Sequence, residues 1–508
     1  MAQTVVVQKG GSWLICRQPV RVVETHCVDE VVPLLHEIEA LVNRYGWIAA
    51  GFVSYEAARA FDSSLVTHDS AETPLLWFGL YADVLETPDL PLDDGNYAIG
   101  ERHPAVDGAT FELQIAQIKQ QIASGATYQV NYTFPVQATF RGSVFALFRD
   151  MTAAQQGQLG AFVDMERFAI CSASPELFFK LDGERIATQP MKGTVARGMT
   201  LAEDRAQMDW LAASEKNRAE NVMIVDMIRN DLGRVARTGS VQVDRLFEVT
   251  RYPTLHQMTS TVSAETTASI TDIFGALFPC ASITGAPKVR TMEIINALET
   301  QTRGVYTGAI GFIAPNRQAQ FNVAIRTVTI DRECELATYN VGSGIVWDSE
   351  AASEYEECRL KAQVLTVRQP VFDLLESLLF TPDEGLFLLD RHVQRMADSA
   401  EYFARPCNPA LLRQKLLQAT NGLSTRAKVR VLLAASGAIE IEINPLTATR
   451  YPDQLRVALA AESVASDNPF LYHKTTFRPM YTSARATRPD CDDVILWNER
   501  GELTEFTV

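Results

Sequence analysis

Apolar positions along the chain alternate between short runs suited to strands and three- or four-residue spacings suited to helices. Trp47–Val53 predicts a strand, Ser54–Asp62 the helix start that follows it, and the acidic, proline-containing stretch Glu86–Tyr97 a loop. Phe111–Ser124 has helical spacing that ends at Gly125. Tyr128–Phe140, Ala161–Ser172 and Leu177–Leu181 then read as strands. Leu201–Val235 predicts a helix with Ser214 as a cap within it and an apolar stripe at Val222, Val225, Ile228 and Leu232. Val305–Ile313, Phe321–Ile330 and Glu335–Val341 predict consecutive strands of one sheet, the last broken by Gly342-Ser343-Gly344, with helix over Ser349–Val367.

The pattern restarts near Arg368-Gln369-Pro370, which sets the main domain boundary. Beyond it, Phe372–Leu379 predicts a helix, Gly385–Leu389 a strand and Arg391–Ala404 an amphipathic helix. Lys428–Leu433 and Ala438–Ile443 predict a hairpin turning at Ser436-Gly437. Three segments follow: 1–110, 111–367 and 370–508.

Composition adds little beyond exclusions. Of 508 residues, 47% are hydrophobic and 21% charged, ordinary values for a globular protein. A net charge of −16 argues against broad nucleic-acid or anionic-membrane binding. The eight cysteines form no CxxC pair or zinc spacing and read as reduced core thiols. Lacking an apolar leader or a run of roughly 18 apolar residues, the chain is expected to be cytoplasmic, with no membrane partner.

Candidate chemistry is concentrated in the middle segment. Lys192 lies in Gln189-Pro190-Met191-Lys192-Gly193-Thr194. Glu354, Glu357 and Lys361 fall on one helical face, where paired carboxylates favour a cation between them or a solvated surface. Glu220 opens the apolar stripe of another helix, and carboxylates from two helices suit Mg²⁺, which prefers oxygen ligands. Arg326 interrupts an apolar run, where a guanidinium needs an anionic partner, either an internal acid or a substrate carboxylate.

Motifs in this stretch carry a resemblance. They are Ser172-Ala173-Ser174-Pro175-Glu176, Met191-Lys192-Gly193-Thr194, Glu220–Asp231, Ser282–Lys288, Arg303–Gly308 and Gly342–Asp348. In this order they resemble the chorismate-binding family, which includes anthranilate and isochorismate synthases, and residues 1–100 match only loosely. The resemblance implies an α+β fold, the α/β sandwich of chorismate-utilising enzymes. It also implies Mg²⁺ held by Glu220 and Glu357 with help from Glu354, and Arg326 and Tyr306 on the enolpyruvyl carboxylate, assisted by N–H groups around Gly342 and Gly344. Lys361, His256 and Thr284 would line the ring pocket. Asn217 stands where relatives often carry a second acid, and Cys280-Ala281 replaces a common Gly-Gly pair.

Two positions select a branch. Relatives that add water to chorismate carry a lysine where this chain has Gln129, and anthranilate-forming ones carry alanine where it has Lys192. The resemblance therefore implies amination, with Lys192 as covalent nucleophile, Glu176 as acid, and ammonia from a separate glutamine amidotransferase subunit. Anthranilate synthase is the nearest alternative.

Residues 370–508 resemble the N-terminal part of a fold-type IV pyridoxal-phosphate (PLP) enzyme. The matching stretches are Arg391–Met396 with Ser399-Ala400, His473–Thr476 and Asn498–Glu505. The resemblance implies Lys474 as Schiff-base lysine, Glu505 beside the pyridine nitrogen and Arg395 on the phosphate. Such domains continue past this glutamate, so the segment is expected to be a lyase fragment, with a non-catalytic interaction module as the alternative.

Overall fold

The computed structural model describes residues 3–69, 72–93, 95–362, 370–446 and 454–507. The chain divides into two compact units, Met1–Val195 with Leu211–Gln369, and Ala196–Trp210 with Pro370–Val508.

The first unit is built on two antiparallel sheets. One is eleven-stranded. Its main path runs Gly285–Ala286, Gln129–Gly142, Leu336–Ile345, Thr327–Asp331, Phe168–Ser174, Leu159–Met165, Val5–Lys9, Ser12–Cys16, Val84–Thr87. The other is ten-stranded. Its path runs Met191–Ala196, Leu255–Glu265, Arg185–Gln189, Leu177–Asp182, Gln318–Val323, Ala309–Ala314, Ile48–Val53, Leu76–Tyr81, Arg21–Thr25. Strands from before residue 110 thus join both sheets, beside strands from far along the chain.

Three cores define the layers. Val5, Val7, Phe52, Trp77, Ile170 and Phe312 fill the space between the sheets. Outside the ten-stranded sheet, helices Val28–Tyr45, Glu215–Gly233 and Ile270–Leu277 bury Leu35, Ile224 and Phe274. Outside the other sheet, helices Gly108–Ala123, Val144–Gln155, Lys288–Leu298 and Ala351–Ala362 bury Phe111, Phe148, Ile295 and Cys358. The result is helix, sheet, sheet, helix, the sandwich expected from sequence.

Local signals set several helix ends. Ser214 Oγ accepts the N–H of Asn217 at 3.4 Å and starts Glu215–Gly233 as a helix separate from Leu201–Ala213, so the single predicted helix is two. Asp107 accepts from Thr110 N at 2.8 Å at the start of Gly108–Ala123, and Ser269 with Asp272 forms a capping box before Ile270–Leu277.

Three sheet expectations are corrected. Phe321–Ile330 is not one strand: Gln318–Val323 belongs to the ten-stranded sheet and Thr327–Asp331 to the eleven-stranded one. Between them Arg326 adopts φ +49°, a left-handed conformation that redirects the chain from one sheet to the other. The predicted run of strands is therefore shared between two sheets. Nor do Gly342 and Gly344 break their strand, which continues through Ile345 paired with Gln129–Gly142. A Cβ on Gly342 would lie 2.5 Å from Tyr132 O, so glycine permits close strand approach here.

In the second unit, Gly385–Leu386, Leu374–Thr381, Ala427–Leu433 and Ile439–Pro445 form a four-stranded sheet under helices Leu389–Tyr402 and Pro409–Thr420. The helix predicted over Phe372–Leu379 is thus a strand. Leu374, Leu378 and Phe380 supply alternating buried positions, and the non-local partner Ala427–Leu433 decides the conformation. A three-stranded sheet of Val457–Leu459, Asp493–Trp497 and Leu503–Phe506 follows.

Ala196–Trp210, drawn from the middle of the sequence, is fixed within this second unit. Arg197 Nε and Asp204 Oδ1 form a buried ion pair at 2.5 Å, and Arg197 Nη2 donates to Tyr402 O at 2.8 Å. Tyr402 Oη returns a hydrogen bond to Gly198 O at 2.9 Å. The segments expected at 363–369, including the end of the Ser349–Val367 helix and part of the boundary, lie outside the described residues. All eight cysteines are free, and Cys27 and Cys334 are exposed, contrary to their reading as core thiols. Among the described residues, no helix is long and apolar enough to cross a membrane.

Candidate active site

Strand Phe168–Ser174 delivers Glu176 through Ser174 and Pro175, and the local turn is fixed by Ser174 Oγ. That hydroxyl donates to Val323 O at 2.6 Å and accepts from Glu176 N at 3.2 Å. Glu176 is buried, and its Oε1 has no hydrogen-bond partner among the described residues. Burial pushes its carboxyl up to about 7, opposed by the Ser282 hydroxyl, the Lys192 charge and the Met191 N–H.

Lys192 sits at the edge of the ten-stranded sheet on Met191–Ala196. Burial pulls its amine below the usual lysine range, while the charges of Glu176, Glu220 and Glu357 pull the other way. A Cβ built on Gly344 would lie 2.8 Å from Gln129 Nε2 and 3.3 Å from Lys192 Nζ, so the glycine leaves room for both. Gln129 is buried, and its Oε1 lacks a partner among the described residues.

The three predicted metal carboxylates are near one another but are not gathered as ligands. Burial raises the Glu220 carboxyl, and Glu354 and Glu357 raise it further by repulsion. Glu357 is paired with Lys361 at 2.7 Å, however, and Glu354 accepts a hydrogen bond from Ser343. Among the described residues no group of three or more such side chains stands at metal-holding distances. Lys361, expected in the ring pocket, pairs with Glu357 and also donates to Gly342 O at 2.9 Å. The donor set remains chemically suited to Mg²⁺: hard carboxylate oxygens whose mutual repulsion a divalent ion relieves.

Arg326 donates to Gln155 Oε1 and has no carboxylate partner among the described residues. Burial lowers its guanidinium, and Tyr339 and Tyr252 act in the opposite direction. A desolvated guanidinium without an internal acid is chemically suited to an anionic ligand. Tyr306 is buried in the turn after Arg303, and burial raises its phenol.

His256 is fully buried on Leu255–Glu265. The Thr284 hydroxyl donates to Cys280 O and Ala281 O at 3.2 and 3.4 Å, which closes its own turn.

Sequence reasoning missed several supporting residues. Gln155 meets Arg326 across 171 positions. Asn131 Nδ2 holds the Ser282 and Thr284 carbonyls at 2.9 and 3.2 Å. Neither carries a local signal; only the proximity of Asn131 to Gln129 could have drawn attention to it.

Residues 7–367 match the family described as chorismate binding enzyme. The chain belongs to the chorismate binding enzyme family. Aminodeoxychorismate synthase component 1 of Klebsiella aerogenes is 38% identical over 336 residues, 61% of this chain and 74% of that protein. The protein of the same name from Salmonella typhimurium is 42% identical over 243 residues, 47% of this chain and about half (53%) of its own length. The crystal structure of anthranilate synthase component I from Streptococcus pneumoniae is similar in fold, with a TM-score of 0.62 at 24% identity over 72% of this chain and 93% of that one. In this chorismate-binding chain, residues 373–508 match the class IV amino-transferase family.

In that second unit Lys474 lies beside strand Leu374–Thr381, its carbonyl accepting Leu375 N at 2.9 Å. Burial lowers its amine, as does the Arg395 charge, while Glu376 opposes both. Arg395 is held by two 2.6 Å bonds to Glu376, which also bonds His392 Nδ1 at 2.7 Å. Glu505 is exposed and accepts from Tyr481 Oη at 2.7 Å. A half-buried lysine near Arg395, with an acid in electrostatic reach, fits PLP in kind. Glu376 and Tyr481 are partners that sequence reasoning did not name.

Proposed function

We propose that this chain aminates chorismate at C4, as component I of an aminodeoxychorismate synthase on the route to 4-aminobenzoate and folate. Ammonia would come from a separate glutamine amidotransferase subunit. One observation carries the reading: a buried carboxyl raised to about 7 lies in electrostatic reach of an amine that burial lowers, which brings Glu176 and Lys192 towards their neutral forms.

In that state Glu176 gives its proton to the C4 hydroxyl, which leaves as water. The Lys192 amine attacks C2 with allylic shift of the ring double bonds, and ammonia then adds at C4 and expels the lysine as an amine. The resulting ammonium returns a proton to the Glu176 carboxylate. Arg326 and Tyr306 would hold the enolpyruvyl carboxylate. Mg²⁺, held by Glu220, Glu357 and Glu354, would neutralise the ring carboxylate. Gln129, standing where water-adding relatives carry a lysine, supplies no base from that position to deprotonate water.

Incubation with chorismate, Mg²⁺ and ammonium, with and without added lyase, tests the reading. The expected product becomes aromatic only after lyase is added, whereas direct appearance of fluorescent anthranilate refutes it. With chorismate alone, a mass increase is expected on Lys192. An unchanged amination rate in Lys192→Ala would remove the nucleophile assignment.

For the second unit, PLP bound at Lys474 would supply an electron sink, with Arg395 on the phosphate and Glu505 toward the ring nitrogen. An absorption band on adding PLP, absent in Lys474→Ala, checks this independently of turnover.

A further inference from the structure

Among the described residues before 100, the mechanism above leaves one buried acid unused. Glu56, in the short helical turn Tyr55–Ala57, is 2% exposed. Its Oε1 accepts the backbone N–H of Arg303 at 2.7 Å and its Oε2 that of Gly304 at 3.0 Å. Tyr55 N in turn donates to Gly304 O at 2.9 Å, so the two segments are locked in both directions.

The segment held in this way is the turn that carries Tyr306. Thr307 lies at φ +59°, a conformation unfavourable for a β-branched residue, so the turn must be held by its surroundings. Its far end is tied to the segment leading into Arg326, because Thr307 N donates to Ala324 O and Ala324 N to Gly308 O, each at 2.9 Å. The Arg303 side chain ties down the rest. It forms a bidentate pair with Glu299 at 2.7 and 2.8 Å and donates to Ile283 O at 3.1 Å and Asn131 O at 2.7 Å. Glu56 thus grips the main chain at Arg303, whose side chain reaches both the 281–283 turn and the strand bearing Gln129.

We infer that Glu56 is a positioning residue for substrate binding: its carboxylate fixes the Arg303–Gly308 turn so that Tyr306 and Arg326 present one carboxylate-binding face. The inference rests on the chorismate reading of the site. The charged and titratable groups around Glu56 are Arg303, Glu299 and Tyr55, with His68 Nε2 at 2.7 Å from Glu299 O behind them. Burial pushes the Glu56 carboxyl up to about 7, against the Arg303 and Gly304 N–H donors. Protonation therefore removes one of two acceptors within an accessible pH range.

Steady-state kinetics of the full chain with chorismate, Mg²⁺ and ammonium test this in wild type and Glu56→Gln from pH 8 to 6. The amide can accept one N–H but turns its own donors toward the other. The chorismate KM should rise about tenfold with kcat changed less than about threefold. Wild-type KM should also climb as pH falls below about 7, whereas the variant's KM should stay high and flat. Glu56→Asp, which keeps the charge but is shorter by a methylene, should fall between them. An unchanged KM in Glu56→Gln, or a loss confined to kcat, overturns the inference while leaving the chorismate reading intact. If the variant does not fold, a flat wild-type KM from pH 8 to 6 still overturns it. Absence of chorismate turnover by the wild type removes both.

Discussion

Substituting alanine for Gly344 adds one methyl group where the Lys192 amine and the Gln129 amide converge. Its Cβ would lie 2.8 Å from Gln129 Nε2, 3.0 Å from Asn131 Oδ1 and 3.3 Å from Lys192 Nζ. Asn131 cannot withdraw freely, because its amide is tied to two carbonyls of the 282–284 turn. To restore contacts of ~3.5 Å, Gln129 must retreat by about 0.7 Å and the Lys192 amine by about 0.2 Å. Overpacking of this kind costs about 1–3 kcal/mol in stability. A reacting group misplaced by ~1 Å can lose about 10²-fold, so a few tenths of an ångström should cost about tenfold. That corresponds to about 1.4 kcal/mol in the barrier.

The assay is quenched single-turnover formation of the Lys192 adduct from chorismate without ammonia, read by intact mass. A thermal melt of the same sample separates lost folding from lost alignment. Adduct formation by G344A at the wild-type rate would refute the packing argument, since the methyl would then be absorbed without moving the amine.

Glu176 should act in its protonated form, so kcat should fall as pH rises through about 7. Glu176→Gln should remove that limb and lower kcat by about 10²–10⁴-fold. The same carboxyl holds its proton to higher pH when folded, so its contribution to stability is complete below 4.5 and lost as pH rises through about 7. Melting temperatures of Glu176→Gln should therefore decline less across that window than those of wild type. Arg326→Lys cannot make a bidentate contact while also reaching Gln155, and chorismate KM should rise about tenfold with little change in melting temperature. Phe274 is fully buried among Phe178, Phe179, Phe278 and Phe321, at centroid distances of 5.1 to 5.8 Å. Phe274→Ala should cost about 3–5 kcal/mol in denaturant unfolding of the first unit, and a loss under 1 kcal/mol would mean that the site collapses to fill the cavity. Ser214→Ala removes a helix cap and should cost about 1 kcal/mol, read as a lower denaturation midpoint.

Features set by short-range contacts are written locally in the amino-acid order. Helix periodicity, the Ser214 cap, and the motifs around Glu176, Lys192, Glu220 and Arg326 were all legible, because each depends on residues within a few positions. Tertiary structure decided what depends on distant partners. Leu374–Thr381 became a strand because Ala427–Leu433 pairs with it, and Arg326 left its predicted strand because the flanking segments pair in different sheets. Gly342 and Gly344 continue a strand because Gln129–Gly142 approaches closely enough to require their missing side chains. Ala196–Trp210 packs with the second unit although its neighbours in sequence belong to the first. Glu56 had no sequence signal at all, since its two hydrogen bonds reach residues 247 and 248 positions away. Periodicity records which face of an element is apolar, but not which of many apolar faces it will meet; that choice is made by packing the whole chain at once.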